Sequence, residues 1–413
     1  MLGSGSDDPL AVGLYCPAWP LESFHNGIVS YAAALAPALR GLGHRVFVLA
    51  GRVAEGVDDP WVRDLRDEGS NPLSARALEA LRFRVSGRGA PDAARRRLVR
   101  TARRVASAER LDLFEMEESF GWGEAVRRSL SVPVVIRLHG PWFLNGPATG
   151  VPQDRAYHGR VRDEGRAIAR AAAVSAPSQD VLDRVRGQYG LALPDAVVIP
   201  NPAPAVPARE RWRVDSCDPV RLLFVGRFDR HKGGDLALEA HRLVLQEFPR
   251  ATLDFVGPDR GLVADDGRTW SLEDFVRERL PGSLEAGSVR WLGAQPFSAL
   301  PSLRRRAFLT VASSRYENFP SAVSEAMAFG CPLVAARVGG IPEFVEDGVN
   351  GLLHEPGDAR DLARCIVDLL RDPARASRLG ERAALDCERL LSPHAVAQRT
   401  AAFHRRVVAA RRC

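Results

Sequence analysis

Two glutamates eight residues apart, Glu317 and Glu325, lie in the stretch FLTVASSRYENFPSAVSEAMAFGCPLVA, which holds the densest chemistry of the chain. Phe308 to Ala312 is a short apolar run that reads as a buried strand, and Cys331 to Ala335 resumes as another. Between them, Ser313 to Phe319 read as a loop and Ser321 to Phe329 repeat at helical spacing, with Gly330 as the stop. Pro320 suits the first helical position, because its missing N–H would have no partner there. The N–H groups of Ser321 and Ala322 are then free donors at the positive end of a helix, where a phosphate is favourably held. A carboxylate accepts hydrogen bonds from a vicinal diol such as a ribose, so Glu317 and Glu325 suit a sugar nucleotide. The competing reading makes Glu317 a solvated loop residue and Glu325 a helix-surface charge.

A second segment offers cations. Gly226-Arg227-Phe228-Asp229-Arg230-His231-Lys232-Gly233-Gly234 joins the apolar run Arg221 to Val225 to a helix from Asp235. Glycines, an arginine and a lysine between strand and helix can cradle a phosphate, Arg227 as a fork and Lys232 as a point charge. It is not a P-loop, since G-x-x-x-x-G-K-[ST] is missing. His139 follows the apolar run Val132 to Leu138, at the carboxyl end of a strand where open parallel sheets bind ligands. Glu115, Glu117 and Glu118 close another strand and are candidates for the acceptor side.

These segments need scaffolds, and the pattern supplies them. Ala11 to Tyr15, a helix from Ile28 to Leu42 and Val46 to Ala50 form a βαβ opening with only Asn26-Gly27 before the helix. There is no G-x-G-x-x-G, so a nicotinamide site is disfavoured. Further strands are expected at Leu111 to Met116, Val132 to Leu138, Ala172 to Ala176, Ala251 to Val256 and Val289 to Gly293, alternating with helical or polar segments. In the last of these Trp291 is read as core. Ser178 is placed to cap a helix. PNPAPAVPARERWR favours an extended linker, which sets domains at 1–205 and 206–390, with 391–413 as a terminal helix.

The chain has 413 residues, 46% of them hydrophobic, and a net charge of +6, which suits two globular domains and attracts anions. The cysteines (Cys16, Cys217, Cys331, Cys365, Cys387, Cys413) are scattered without C-x-x-C pairs, as expected of small core residues. MLGSGSDDPL lacks an apolar signal core and no run approaches a membrane span, so a cytoplasmic protein is expected. Arg82, Arg84, Arg88, Arg95, Arg96, Arg97, Arg100, Arg103 and Arg104 make 82–104 a basic amphipathic segment. A solvated helix face is its default reading, with peripheral contact at the inner membrane face as the alternative. No aromatic interleaving marks a nucleic-acid groove.

ENFPSAVSEAMAFGCPLVA resembles the E-x7-E motif of retaining glycosyltransferases of the GT-B fold, family 4, and the likeness runs on through Arg337 to Glu343 and Asp347 to Leu353. Arg227…Lys232-Gly233, Leu138-His139-Gly140, Ser175-Ala176-Pro177-Ser178 and Val198-Ile199-Pro200-Asn201 resemble the same family. The resemblance implies an α/β architecture of two Rossmann-like, doubly wound parallel-sheet domains facing a cleft, with the last helix (Ala395 to Arg412) crossing back to the first domain. It implies that Glu325 holds the nucleotide ribose, that Glu317 and His139 face the donor sugar, and that amides around Asn318 and Phe319 contact sugar hydroxyls. Gly27 and Gly226 would approach the donor phosphates, which Arg227 and Lys232 would neutralise. Pro320 stands where the family often has Gly, which removes one amide.

The implied co-substrate is a nucleoside-diphosphate sugar, UDP-sugar first and GDP- or another NDP-sugar second, with a hydroxyl-bearing glycan, lipid-linked sugar or natural product as acceptor. No metal is expected, since no D-x-D pair sits in a suitable loop. A GT-B phosphorylase, a sugar-nucleotide epimerase or a non-catalytic carbohydrate-binding subunit shares much of this pattern. A nucleic-acid-binding protein would explain the charge and leave the motifs unexplained.

Overall fold

The computed structural model describes residues 8–24, 26–66, 90–148, 150–264 and 266–412. Arg82, Arg84 and Arg88 of the basic segment lie outside them. The first sheet has seven parallel strands: β1 (Ala11–Cys16), β2 (Arg45–Ala50), β3 (Val62–Asp64), β4 (Leu113–Glu117), β5 (Val134–Arg137), β6 (Ala173–Ala176) and β7 (Val197–Val198). Their order is β3-β2-β1-β4-β5-β6-β7, so the winding reverses between β1 and β4. The intervening helices are α1 (Gly27–Gly41), α2 (Ala90–Ala108), α3 (Gly123–Arg127), α4 (Trp142–Ala148), α5 (Arg155–Arg170) and α6 (Gln179–Tyr189).

The second sheet contains β8 (Arg221–Val225), β9 (Thr252–Val256), β12 (Val289–Gly293), β13 (Leu309–Ala312), β14 (Leu333–Ala336) and β15 (Leu352–His354), while β10 (Leu262–Val263) and β11 (Thr269–Trp270) form a separate hairpin. The order is β12-β9-β8-β13-β14-β15, again all parallel, with its reversal between β8 and β13. Its helices are α7 (Gly234–Glu247), α8 (Leu272–Arg279), α9 (Leu300–Arg306), α10 (Ser321–Phe329), α11 (Ala359–Arg371), α12 (Pro373–Leu391) and α13 (Pro393–Arg412). Two parallel sheets covered by helices are the α/β GT-B architecture that the motifs implied.

The period of two along a strand divides its side chains between two cores. On β1, Val12, Leu14 and Cys16 join the cluster holding Leu35 and Leu39 of α1, whereas Ala11 and Tyr15 join the cluster holding Leu98 and Val105 of α2. Thus α2 presses an apolar face on the sheet and leaves Arg100 and Arg103 exposed. Val396, Ala397, Ala401 and Phe403 of α13 complete the core around α1, so the last helix returns to the first domain. Ser392 caps it, its Oγ accepting from the Ala395 N–H at 3.3 Å.

Trp291 departs from its expected place in the core: it is 40% exposed, its Nε1 donating to the Gly257 carbonyl at 3.1 Å. Its strand, β12, is the edge of the sheet, with a paired strand on one side only. Cys16, Cys331, Cys365 and Cys387 are buried and Cys217 is partly so, as small apolar residues would be.

Candidate active site

In open parallel sheets a crevice forms where neighbouring strands send their connections to opposite faces, and both sheets put candidate residues there. β8 and β13 run side by side, Leu309 beside Leu222 and Val311 beside Phe224, so the loops after them leave from one edge. The first loop is tied by Asp229, whose Oδ2 accepts from Arg227 Nε at 2.6 Å and whose Oδ1 accepts from the Lys232 N–H at 2.7 Å. At Gly233, with φ +68°, a Cβ would stand 2.0 Å from the Ser313 carbonyl oxygen, so only glycine lets the loops touch. Ser313 Oγ donates to the Gly233 carbonyl at 2.7 Å and closes the clasp.

Across the clasp, Lys232 Nζ meets Glu317 Oε1 at 2.5 Å, and Ser314 Oγ donates to the same oxygen at 2.7 Å. Burial would push the Glu317 carboxyl up, but Lys232, His231 and these hydrogen bonds outweigh it and hold it below the usual carboxylate range. Glu317 is therefore an anion in a closed setting. Gly339 makes room for its backbone: at φ +50° a Cβ there would lie 2.0 Å from the Glu317 carbonyl oxygen, which accepts from the Gly340 N–H at 3.1 Å.

Pro320 is the residue before α10 rather than its first member, and no side chain caps the helix. The first intrahelical bond runs from the Ser324 N–H to the Pro320 carbonyl at 3.2 Å, leaving the N–H groups of Ser321 and Ala322 without helical acceptors. One turn on, Glu325 Oε2 accepts from Arg304 Nη2 at 2.7 Å. Phe319 packs on Phe344 with ring centroids 5.1 Å apart, which anchors the loop before the helix.

The first domain contributes the His139 turn. Glu118 accepts from the N–H of His139 at 3.0 Å with one oxygen and from the N–H of Gly140 at 2.8 Å with the other. The imidazole meets the edge of Tyr31 on α1 with centroids 4.8 Å apart. Burial, then the charge of Arg137, push His139 down to about 3, with Glu115 opposing, so the ring is neutral at neutral pH. Tyr31 also donates to Glu115 at 2.8 Å, and Glu115 meets His404 Nε2 of α13 at 2.8 Å. Gly27 opens α1 one turn before Tyr31, capped by Asn26, and among the described residues beyond its own chain neighbours and helix backbone no atom lies within 4 Å of a Cβ built there.

The acidic trio was expected on the acceptor side, and the structure corrects this. Glu115 and Glu118 are 1% exposed and occupied by Tyr31, His404 and the His139 turn, while buried Glu117 accepts from Ser119 Oγ at 2.7 Å. Their carboxylates are taken up by these partners inside the protein, so the side chains point into packing rather than into the cleft. Burial, with Glu164 and Glu117 adding, pushes Glu118 up to about 8, and burial pushes Glu117 up to about 7.

Polar contacts join the two halves. Asn145 Nδ2 donates to the Gly140 carbonyl at 2.8 Å, and Asn318 Nδ2 donates to Asn145 Oδ1 at 2.9 Å, linking the His139 turn to the neighbour of Glu317. Ser178, the cap of α6, donates to the Asn318 carbonyl at 3.0 Å. The carboxylate of Glu343 accepts from the N–H groups of Gln179 at 2.7 Å and Asp180 at 2.9 Å, capping a helix of the opposite domain. Gly226, Arg227, Lys232, Glu317, Asn318 and His139 thus line one region, with Phe319, Ser321, Ala322 and Glu325 on the adjoining loop and helix. Among the described residues no group of three or more His, Cys, Asp or Glu could hold a metal ion. Tyr31, Asn145 and Arg304 were not singled out from sequence, because each acts through a partner distant in the chain. Glu343 was legible only as part of a motif.

Comparison with known proteins agrees with this fold. Residues 25–205 match the family described as Glycosyltransferase Family 4, and residues 209–386 match Glycosyl transferases group 1. A D-inositol 3-phosphate glycosyltransferase of Thermobifida fusca (strain YX) is 31% identical over 274 residues, covering 63% of this chain and 61% of that protein. A glycogen synthase of Mycobacterium tuberculosis (strain ATCC 25618 / H37Rv) is 31% identical over 205 residues, 49% of this chain and 46% of its own. The chain therefore spans less than two thirds of these relatives. Among solved structures, sucrose-phosphate synthase from Thermosynechococcus elongatus superposes with a TM-score of 0.71 at 22% identity, covering 97% of this chain and 100% of its own. Anabaena Alr3699/HepE in complex with UDP and glucose gives 0.66 at 20% identity, covering 95% and 98%. At such identities these structures speak for the fold alone.

Proposed function

The chain belongs to the family 4, group 1 glycosyltransferases, and from that premise we propose that it moves a sugar from a nucleoside-diphosphate donor to a hydroxyl acceptor, with retention and without a metal ion. Arg227, Lys232 and the N–H groups of Ser321 and Ala322 take the diphosphate. Glu325 takes the ribose. His139, Glu317 and the amides around Asn318 and Phe319 surround the donor sugar, with Gly27 and Gly226 leaving room beside the phosphates.

Cleavage of the sugar–phosphate bond puts negative charge on the departing diphosphate while an oxocarbenium-like sugar forms. Cations and N–H dipoles fixed in advance stabilise that charge without reorganising, and they supply the positive potential a metal would otherwise bring. The acceptor hydroxyl attacks from the face the diphosphate leaves, giving its proton to a leaving phosphate oxygen, so no protein nucleophile enters. Neutral His139 packs against the sugar without placing a second positive charge near the developing cation. The closed cleft limits water.

The observation carrying this reading is the Lys232–Glu317 pair at 2.5 Å beside the Asn318–Asn145 link to the His139 turn. A thermal-shift screen against UDP-, GDP-, ADP- and dTDP-sugars, UDP first, tests it, since a bound donor raises the apparent stability. NMR of the transferred anomer, with and without EDTA, then tests retention and metal independence. No stabilisation by any donor and no transfer would end the proposal. Exposed Arg100 and Arg103 on α2 extend it to contact with an anionic membrane surface, which co-sedimentation with anionic vesicles tests.

A further inference from the structure

Arg304 lies beneath the proposed donor site with no contact with solvent to speak of: it is 0% exposed, on the inner face of α9 beside Leu303. Taking such a cation out of water costs several kcal/mol, and a hydrophobe of similar volume would fill the place at lower cost. Its hydrogen-bond partner among the described residues is Glu325 Oε2, at 2.7 Å. Its Nε and Nη1 have none. Glu325 keeps 16% of its side chain exposed, and no described residue bonds its Oε1. The carboxylate is therefore gripped from below by one oxygen and open at the mouth through the other.

We infer that Arg304 is a positioning residue that fixes Glu325 so that its free oxygen accepts from a ribose diol, and that the pair sets a preference for ribo- over deoxyribonucleotides. The inference rests on reading the cleft as a nucleoside-diphosphate site. An unsupported glutamate on a helix surface samples several rotamers, and a hydrogen bond to a ligand must then offset that lost freedom. A guanidinium that is itself held in a closed setting and donates to one carboxylate oxygen removes most of it beforehand, leaving the other oxygen aimed. The diphosphate is held elsewhere, at Arg227, Lys232 and the start of α10. Losing Arg304 therefore weakens ribose discrimination and spares the phosphate contacts.

The test is calorimetric titration of the full chain with UDP and 2′-deoxy-UDP, and with GDP and 2′-deoxy-GDP, with inorganic pyrophosphate as competitor. The wild type favours the ribo form by roughly tenfold, the value of one charge-assisted hydrogen bond. Arg304→Met brings that ratio to about 2 or less while pyrophosphate competes as before. Arg304→Lys keeps the charge but not the rigid planar donor and lowers the ratio about threefold, which decides the matter if the Met variant does not fold. A folded Met variant, or failing that a Lys variant, with the wild-type ratio overturns the inference. A wild type that binds both sugars equally also overturns it while leaving the donor reading intact. A wild type that binds no nucleotide sinks the donor reading and this inference together.

Discussion

Lys232 Nζ and Glu317 Oε1 stand 2.5 Å apart, joining two loops separated by 85 residues. The carboxylate side chain is 8% exposed and the lysine 28%, so the pair has one end in the protein and one at the cleft. A cation so placed is aimed before any ligand arrives. Lys232→Met leaves Glu317 buried without its nearest positive charge and costs on the order of 2 kcal/mol, less than a fully buried pair because the lysine is partly wet. Nucleoside-diphosphate affinity falls at least about tenfold. Lys232→Arg restores most of the stability. Calorimetry and thermal melts read both effects, and unchanged affinity in the Met variant would remove Lys232 from the diphosphate site.

His139→Ala lowers kcat by roughly 10- to 100-fold through lost positioning of the sugar, while donor affinity moves less than about threefold. By contrast, Glu325→Ala acts first on nucleotide affinity. Because His139 is pushed down to about 3, the kcat profile between pH 5 and 8 carries no inflection from its ring. Such an inflection, lost in His139→Ala, would mean that the imidazole is protonated in the working enzyme.

Stability should fall on both sides of mildly acidic pH. His139 has a folded pKa below its unfolded value, so the unfolded chain takes the proton first and stability drops as pH falls from about 6.5 toward 3. Glu118 is raised to about 8, so the native state holds its proton longer and stability drops as pH rises from about 4.5 through 8. Urea titrations across this range measure the curve. Glu118→Gln flattens the alkaline limb and lowers kcat, since an amide offers one acceptor to two backbone donors. An unaltered limb would show that Glu118 is ionised throughout.

Glu343 caps α6 from the opposite domain, accepting from Gln179 and Asp180. Glu343→Ala removes a cap of about 1 kcal/mol, and all of that energy belongs to the closed arrangement. Small-angle scattering of the variant should show a larger radius of gyration, and the donor KM should rise several-fold. If neither changes, the cap does not hold the domains together.

The sequence by itself determined the alternation of strands and helices, the glycines at close approaches, and the appearance of Arg227, Lys232, His139 and Glu317 at strand ends. Those features are local: side-chain period, turn chemistry and the loss of a Cβ are written within a few neighbouring residues. Only the tertiary structure decided what each group faces. It put Arg304 under Glu325, set Asn145 between Gly140 and Asn318, enclosed Glu115 between Tyr31 and His404, and left Trp291 exposed on an edge strand. A charge's partner and its access to water depend on chain crossings tens or hundreds of residues away, and no local pattern encodes them.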